Sequence, residues 1–176
     1  MSKHTLKPFD NKAYPFQIQS ELNLTNESVF ISYKVTGDLS SIDLGDGHPV
    51  RSRVIKLWEK TCFELFLKTS TGAYMEFNFS PVFEWNAFYF EKKGDALAEY
   101  KGMQGVKTDI LLSDEVFHLI VEIAKSDFPE GFFKGSLEGQ ITSVIKEDHN
   151  HLSYWALNHT DSKPNFHDFR SFTQIN

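Results

Sequence analysis

With a single cysteine, Cys62, among 176 residues, the chain has neither an internal disulfide nor a multi-thiolate zinc site. Basic residues are outnumbered, 18 against 24 acidic, and the net charge of -6 argues against nucleic-acid binding driven by phosphate attraction. No run approaches the ~18 apolar residues of a membrane span, so no membrane partner is expected. The opening Met1-Ser2-Lys3-His4-Thr5-Leu6-Lys7-Pro8 lacks the apolar core of a secretory leader, which sets the expectation of a cytoplasmic protein. Helical periodicity is scarce as well, and only over Asp95 to Tyr100 does a short helix compete with a strand. What the chain has in excess is rings. Its 17 Phe, 6 Tyr and 3 Trp make up 15% of the residues, so much of the core or of a binding face is aromatic.

The dominant period is two. Phe16 to Leu24 alternates apolar and polar residues, and after the Asn26-Glu27 step Val29 to Val35 alternates again, as a hairpin with one buried face. Further strands are expected over Thr61 to Lys68, Ala73 to Ser80, Asn86 to Glu91, Val106 to Leu112, Glu115 to Ala124, Leu137 to Ile145 and Leu152 to Leu157. Gly37 to Gly47 reads as a loop, and the polar tail beyond Thr160 keeps Phe166, Phe169 and Phe172. About ten short strands separated by turn signals predict one all-β domain over residues 1–176. Its architecture is an antiparallel β-sandwich, jelly-roll or immunoglobulin-like.

The central hairpin allows a finer reading. Phe63, Leu65 and Leu67 share one strand face, and Met75, Phe77 and Phe79 share one face of the next. Both sets must meet the core, so paired residue numbers sum to an even value and the loop has an odd length. Two registers fit: a loop of Thr69 to Thr71 sets Glu64 opposite Glu76, and a loop of Ser70 to Gly72 sets Glu64 opposite Asn78. The second is preferred, because it puts Gly72 where a left-handed residue is needed and avoids two facing like charges. On the other face Glu64, Glu76 and Asn78 form a polar cluster flanked by Phe66 and Tyr74. A solvated outer face would account for the carboxylates and the amide. Cys62 and Phe66 argue for a partial cover, and thus for a small polar ligand site.

These residues carry a resemblance. Leu57-Trp58-Glu59-Lys60-Thr61-Cys62-Phe63-Glu64-Leu65-Phe66-Leu67 and Tyr74-Met75-Glu76-Phe77-Asn78-Phe79-Ser80-Pro81 resemble DOMON-like domains, which are related to family 9 carbohydrate-binding modules and to haem-binding domains of some dehydrogenases. Tyr154-Trp155-Ala156-Leu157-Asn158-His159 and Pro164-Asn165-Phe166-His167 are similar to the end of the same domains. The resemblance implies a non-catalytic domain that binds a saccharide or a similar small polar ligand between two tryptophans, Trp58 and Trp155. Glu64, Glu76 and Asn78 would hold its hydroxyls, with Asn158, His159 and Arg53 nearby. No cofactor is expected. The haem alternative would call on Met75 and His118 as axial ligands, and a calcium site of the family cannot be traced onto these residues. A glycoside hydrolase using Glu64 and Glu76 is a third reading, since a diagonal cross-strand pair about 7–8 Å apart at the backbone suits such chemistry. His159 and His167 fall near Asp161 and Asp168, but their spacing matches no zinc pattern.

Overall fold

Strands with one apolar face must bury it against a second layer, and here they do so as two stacked sheets. In the computed structural model, which describes residues 2–46 and 51–175, the strands in chain order are β1 (Ser2–Thr5), β2 (Lys7–Pro8), β3 (Phe16–Leu24), β4 (Ser28–Gly37), β5 (Cys62–Thr69) and β6 (Tyr74–Phe79). They continue as β7 (Trp85–Phe90), β8 (Lys107–Leu112), β9 (Val116–Ala124), β10 (Leu137–Lys146), β11 (Leu152–Ala156) and β12 (Thr173–Ile175). The strand pairs are antiparallel. One sheet has the order β1-β3-β4-β9-β8, and the other β2-β11-β10-β5-β6-β7 with β12 beside β10. The described residues form no α-helix, only short 3-10 turns.

The nine sequence-predicted strands are present to within a residue or two. Three were not predicted: β1, β2 and β12 are two to four residues long, too short to show a period, and exist because a neighbouring strand offers them an edge. Over Asp95 to Tyr100 neither the short helix nor the competing strand forms; this stretch runs irregularly and contributes one bridge, Glu99 to Phe88. Gly47, the end of the expected Gly37 to Gly47 loop, lies outside the described residues, and Gly37 itself closes β4.

The inner faces interdigitate as the alternation requires. Ile18 and Leu22 of β3, Val29, Ile31, Tyr33 and Val35 of β4, and Phe117, Leu119, Val121 and Ile123 of β9 meet Phe63, Leu65, Leu67, Met75, Phe77 and Phe79 of the second sheet. A ring taken fully out of water contributes about 1.5–3 kcal/mol, so this aromatic layer is the main stabilising block. Tyr33 crosses the interface, and its buried hydroxyl donates to the Glu64 carbonyl at 2.6 Å. That bond ties β5 to the opposite sheet at the residue whose side chain matters most on the outer face.

The β5–β6 register is the one expected. Glu64 pairs with Asn78, Leu65 with Phe77 and Leu67 with Met75. The Thr69 amide donates to the Ala73 carbonyl across a three-residue loop, and Gly72 has φ +94°. Open space surrounds that glycine, so Gly72→Ala isolates the backbone effect. Its expected cost is about 1–2 kcal/mol, read as a shift of the denaturation midpoint with an unchanged slope.

Candidate functional site

The outer face of the larger sheet is not open. Across its middle runs a polar row, Thr142 of β10, Glu64 of β5, Asn78 of β6 and Asn86 of β7, each paired with the next. Glu76 of β6 stands one step along, opposite Phe66 and Phe88. Phe66, Tyr74, Phe88, Phe90 and Phe172 form an aromatic cluster on the same face, with Trp58, Phe166 and Phe169 packed against it.

Two segments provide the cover. Trp58 sits on a 3-10 turn, Leu57–Glu59, entered through Lys56 in a left-handed conformation at φ +65°. Its indole meets Phe88 edge-on, with centroids 5.9 Å apart. The second segment, residues 160–172, folds back over the sheet. Asp168, almost wholly buried, fastens it by accepting from the Thr160 hydroxyl at 2.7 Å and from the Arg170 guanidinium at 2.6 Å. The Arg170 and Thr160 hydrogen bonds hold the Asp168 carboxyl well below the usual carboxylate range. The tail phenylalanines therefore cap an outer cluster rather than extend the inner core, a distinction that composition does not carry.

Between floor and cover lies a cavity of about 380 Å³ bounded by Trp58, Glu64, Phe66, Glu76, Tyr154 and Phe166, with Leu97, Val144, Pro164, Asn165 and His167 completing the wall. That volume falls within the usual range of small-molecule sites.

The floor is a pair of carboxyl groups taken out of water, with Glu64 3% and Glu76 4% exposed. Oε2 of Glu64 accepts from the Thr142 hydroxyl at 2.8 Å, and Oε1 of Glu76 accepts from the Asn78 amide at 2.8 Å. Oε2 of Glu76 and Oδ1 of Asn78 receive no hydrogen bond. Burial pushes Glu64 up to about 8, with the nearby charge of Glu76 adding to the effect, and burial pushes Glu76 up to about 7. His167 lies above this pair. Its Nδ1 is 3.0 Å from the Tyr74 hydroxyl and its Nε2 is 3.5 Å from Oε2 of Glu76. Burial lowers its pKa, with Lys93 adding in the same direction, which favours the neutral ring.

Of the residues expected at the site, Trp58, Glu64 and Glu76 line the cavity, and Asn78 lies under its floor, fully buried against Glu76. The other four are elsewhere. Trp155 belongs to the inner core: it packs between the sheets against Tyr14 and Phe16, with centroids 4.9 and 5.3 Å away, and its indole N–H donates to Ser153. The expected pair of indoles does not form, because strand parity sends Trp155 inward and its neighbour Tyr154 outward to the cavity. Asn158 offers its carbonyl to the Gln140 amide, and His159 bonds the Lys7 carbonyl beside Phe9. Arg53 donates to the carbonyls of Tyr100 and Met103 and lies over Trp85, so it organises a loop.

His167, Tyr154 and Phe166 are the site residues that the sequence reading did not single out as ligand contacts. Tyr154 is turned outward by the pairing of β11 with β10, which the five residues of β11 do not signal by themselves. Nothing local signals His167, which reaches the floor only through the fold-back of the tail. Met75 is buried between the sheets, whereas His118 lies on the outer face of the five-stranded sheet beside Lys34, so the two do not converge as axial haem ligands. Among the described residues no three His, Cys, Asp or Glu side chains gather as a metal site.

No family model matches the sequence, and no curated protein matches it. Solved structures do. A candidate carbohydrate-binding protein of Bacteroides uniformis ATCC 8492 is similar over 99% of this chain and 85% of its own, with TM-score 0.71 and 16% identity. Two structures of a family 9 carbohydrate-binding module from Caldicellulosiruptor kristjanssonii are similar at 8% and 6% identity. The glucose complex covers 83% of this chain and 69% of its own at TM-score 0.52; the cellotriose complex covers 89% and 72% at TM-score 0.54. At such identities the likeness is one of fold, an antiparallel β-sandwich.

Proposed function

We propose that this chain is a non-catalytic binding domain for a small polar ligand of carbohydrate type, held in the cavity between the Glu64–Glu76 floor and the Trp58, Tyr154 and Phe166 rings. The observation that carries this reading is the cavity itself: aromatic side chains on its walls and fixed carboxyl groups beneath them. The apolar face of a pyranose stacks on a ring, and its hydroxyls need fixed hydrogen-bond partners. The saccharides bound by the family 9 module structures support the same class of ligand for this fold.

Hydrolysis fits less well. Glycosidases place their two carboxyl groups on either side of the scissile bond. Glu64 and Glu76 both rise from one sheet face, beneath the cavity, with one oxygen of each held by Thr142 and Asn78. The proposal is tested by calorimetric titration with glucose, cellotriose and a panel of other monosaccharides. Trp58→Ala and Glu64→Gln should each weaken binding of a saccharide that the wild type takes by roughly tenfold, since about 1.4 kcal/mol is one decade. Affinity unchanged in both variants would reject this cavity as the site.

A further inference from the structure

We propose that the group recognised in this cavity is a primary ammonium, so that the site selects an amino sugar over its neutral counterpart. The inference rests on the saccharide reading above and names the class of saccharide.

The argument is an imbalance between donors and acceptors. A carboxyl pair forms the floor; Glu76, only 4% exposed, is among the residues that line the cavity, and its buried Oε2 has no hydrogen-bond donor. Three donors beside the floor are already engaged: the Thr142 hydroxyl on Glu64, the Asn78 amide on Oε1 of Glu76 and the Asn165 amide on Asp161. Nε2 of His167, at 3.5 Å, is too far for a hydrogen bond of ordinary length. No lysine or arginine is among the described residues that line the cavity. Lys93, whose charge acts on His167, reaches to Asp168 and over the Phe169 ring instead.

What enters must therefore bring donors, and a positive charge is better matched than a neutral group. An ammonium carries three donors on one centre, whereas a hydroxyl brings one. The walls agree, because Trp58, Phe66, Tyr154 and Phe166 present rings whose faces attract cations. Anionic saccharides are disfavoured by the same carboxyl pair. The upward displacement of both carboxyls marks a pair held without its counter-charge, and an ammonium is the group that lets them ionise in place.

The test is calorimetric titration of the full chain near pH 7 with four probes: glucosamine, glucose, N-acetylglucosamine and cyclohexylamine. The expected result is glucosamine binding at least tenfold tighter than glucose or N-acetylglucosamine, which have the ring but no charge. Glu76→Gln should erase that preference, bringing the affinity for glucosamine to within about twofold of the affinity of the same variant for glucose. Glu64→Gln serves as the second variant, with a thermal melt of each to confirm folding. Equal affinities for glucosamine and glucose overturn the ammonium assignment and leave the saccharide reading standing. Binding of cyclohexylamine without any sugar supports the ammonium assignment and overturns the saccharide reading. Binding of none of the four overturns the ammonium assignment.

Discussion

Between pH 5 and pH 8.5 the unfolding temperature is expected to fall by on the order of 5–10 °C in the wild type, and by far less in a Glu64→Gln/Glu76→Gln double variant. Both carboxyls have an ordinary value of 4.5, to which they return in the unfolded chain; in the folded protein burial, and for Glu64 also the charge of Glu76, raise them to about 8 and about 7. The folded state therefore keeps protons that the unfolded chain has released. Stability contributed this way is complete below about pH 4.5 and is lost as the pH rises through 7 and 8. The loss across the window is on the order of 3 kcal/mol, and a chain of this size shifts by roughly 2–4 °C per kcal/mol.

His167 acts in the opposite direction. Burial, with Lys93 adding to it, depresses its pKa below 6.5, so its contribution grows as the pH rises through that value. His118 is depressed by burial and by Lys34 and behaves likewise. Subtracting the double variant removes the background of both histidines. A wild-type melting temperature that rises steadily to pH 8.5, with the double variant running parallel, would mean that the pair is ionised in the folded state.

Replacing Trp155 should unfold the protein before it affects any ligand. Trp155→Ala removes a ring 3% exposed, wedged between Tyr14 and Phe16, and leaves the Ser153 hydroxyl without its indole donor. Deletions of buried rings cost about 3–5 kcal/mol, which lowers the melting temperature by on the order of 10 °C. Trp58→Ala should show the reverse pattern. Its indole is half-buried at the cavity rim, so affinity should fall with little change in the melt. The comparison is made by calorimetry and thermal melts on the same two preparations. A Trp155→Ala protein that melts like wild type but loses the ligand would restore the two-indole site and contradict the inward placement.

The sequence alone determined the all-β architecture, nine of the twelve strands among the described residues, the parity of the β5–β6 pairing and the joint placement of Glu64, Glu76 and Asn78 on one face. Those features follow from a period of two, from the parity that two apolar faces impose, and from Gly72 in a left-handed turn; each acts over a few residues. Tertiary structure decided which face of each lone strand points inward and what covers the outer face. β11 is too short for its own pattern to separate Tyr154 from Trp155, and only pairing with β10 sets its phase. The cover comes from residues 160–172, about 90 positions beyond the floor in sequence, held by a single buried carboxylate at Asp168. Local spacing carries no information about a contact of that range. His167 thus reached the carboxyl pair only when the chain closed on itself, and the cavity exists because the aromatic residues of the tail found more apolar surface on the outer face than in water.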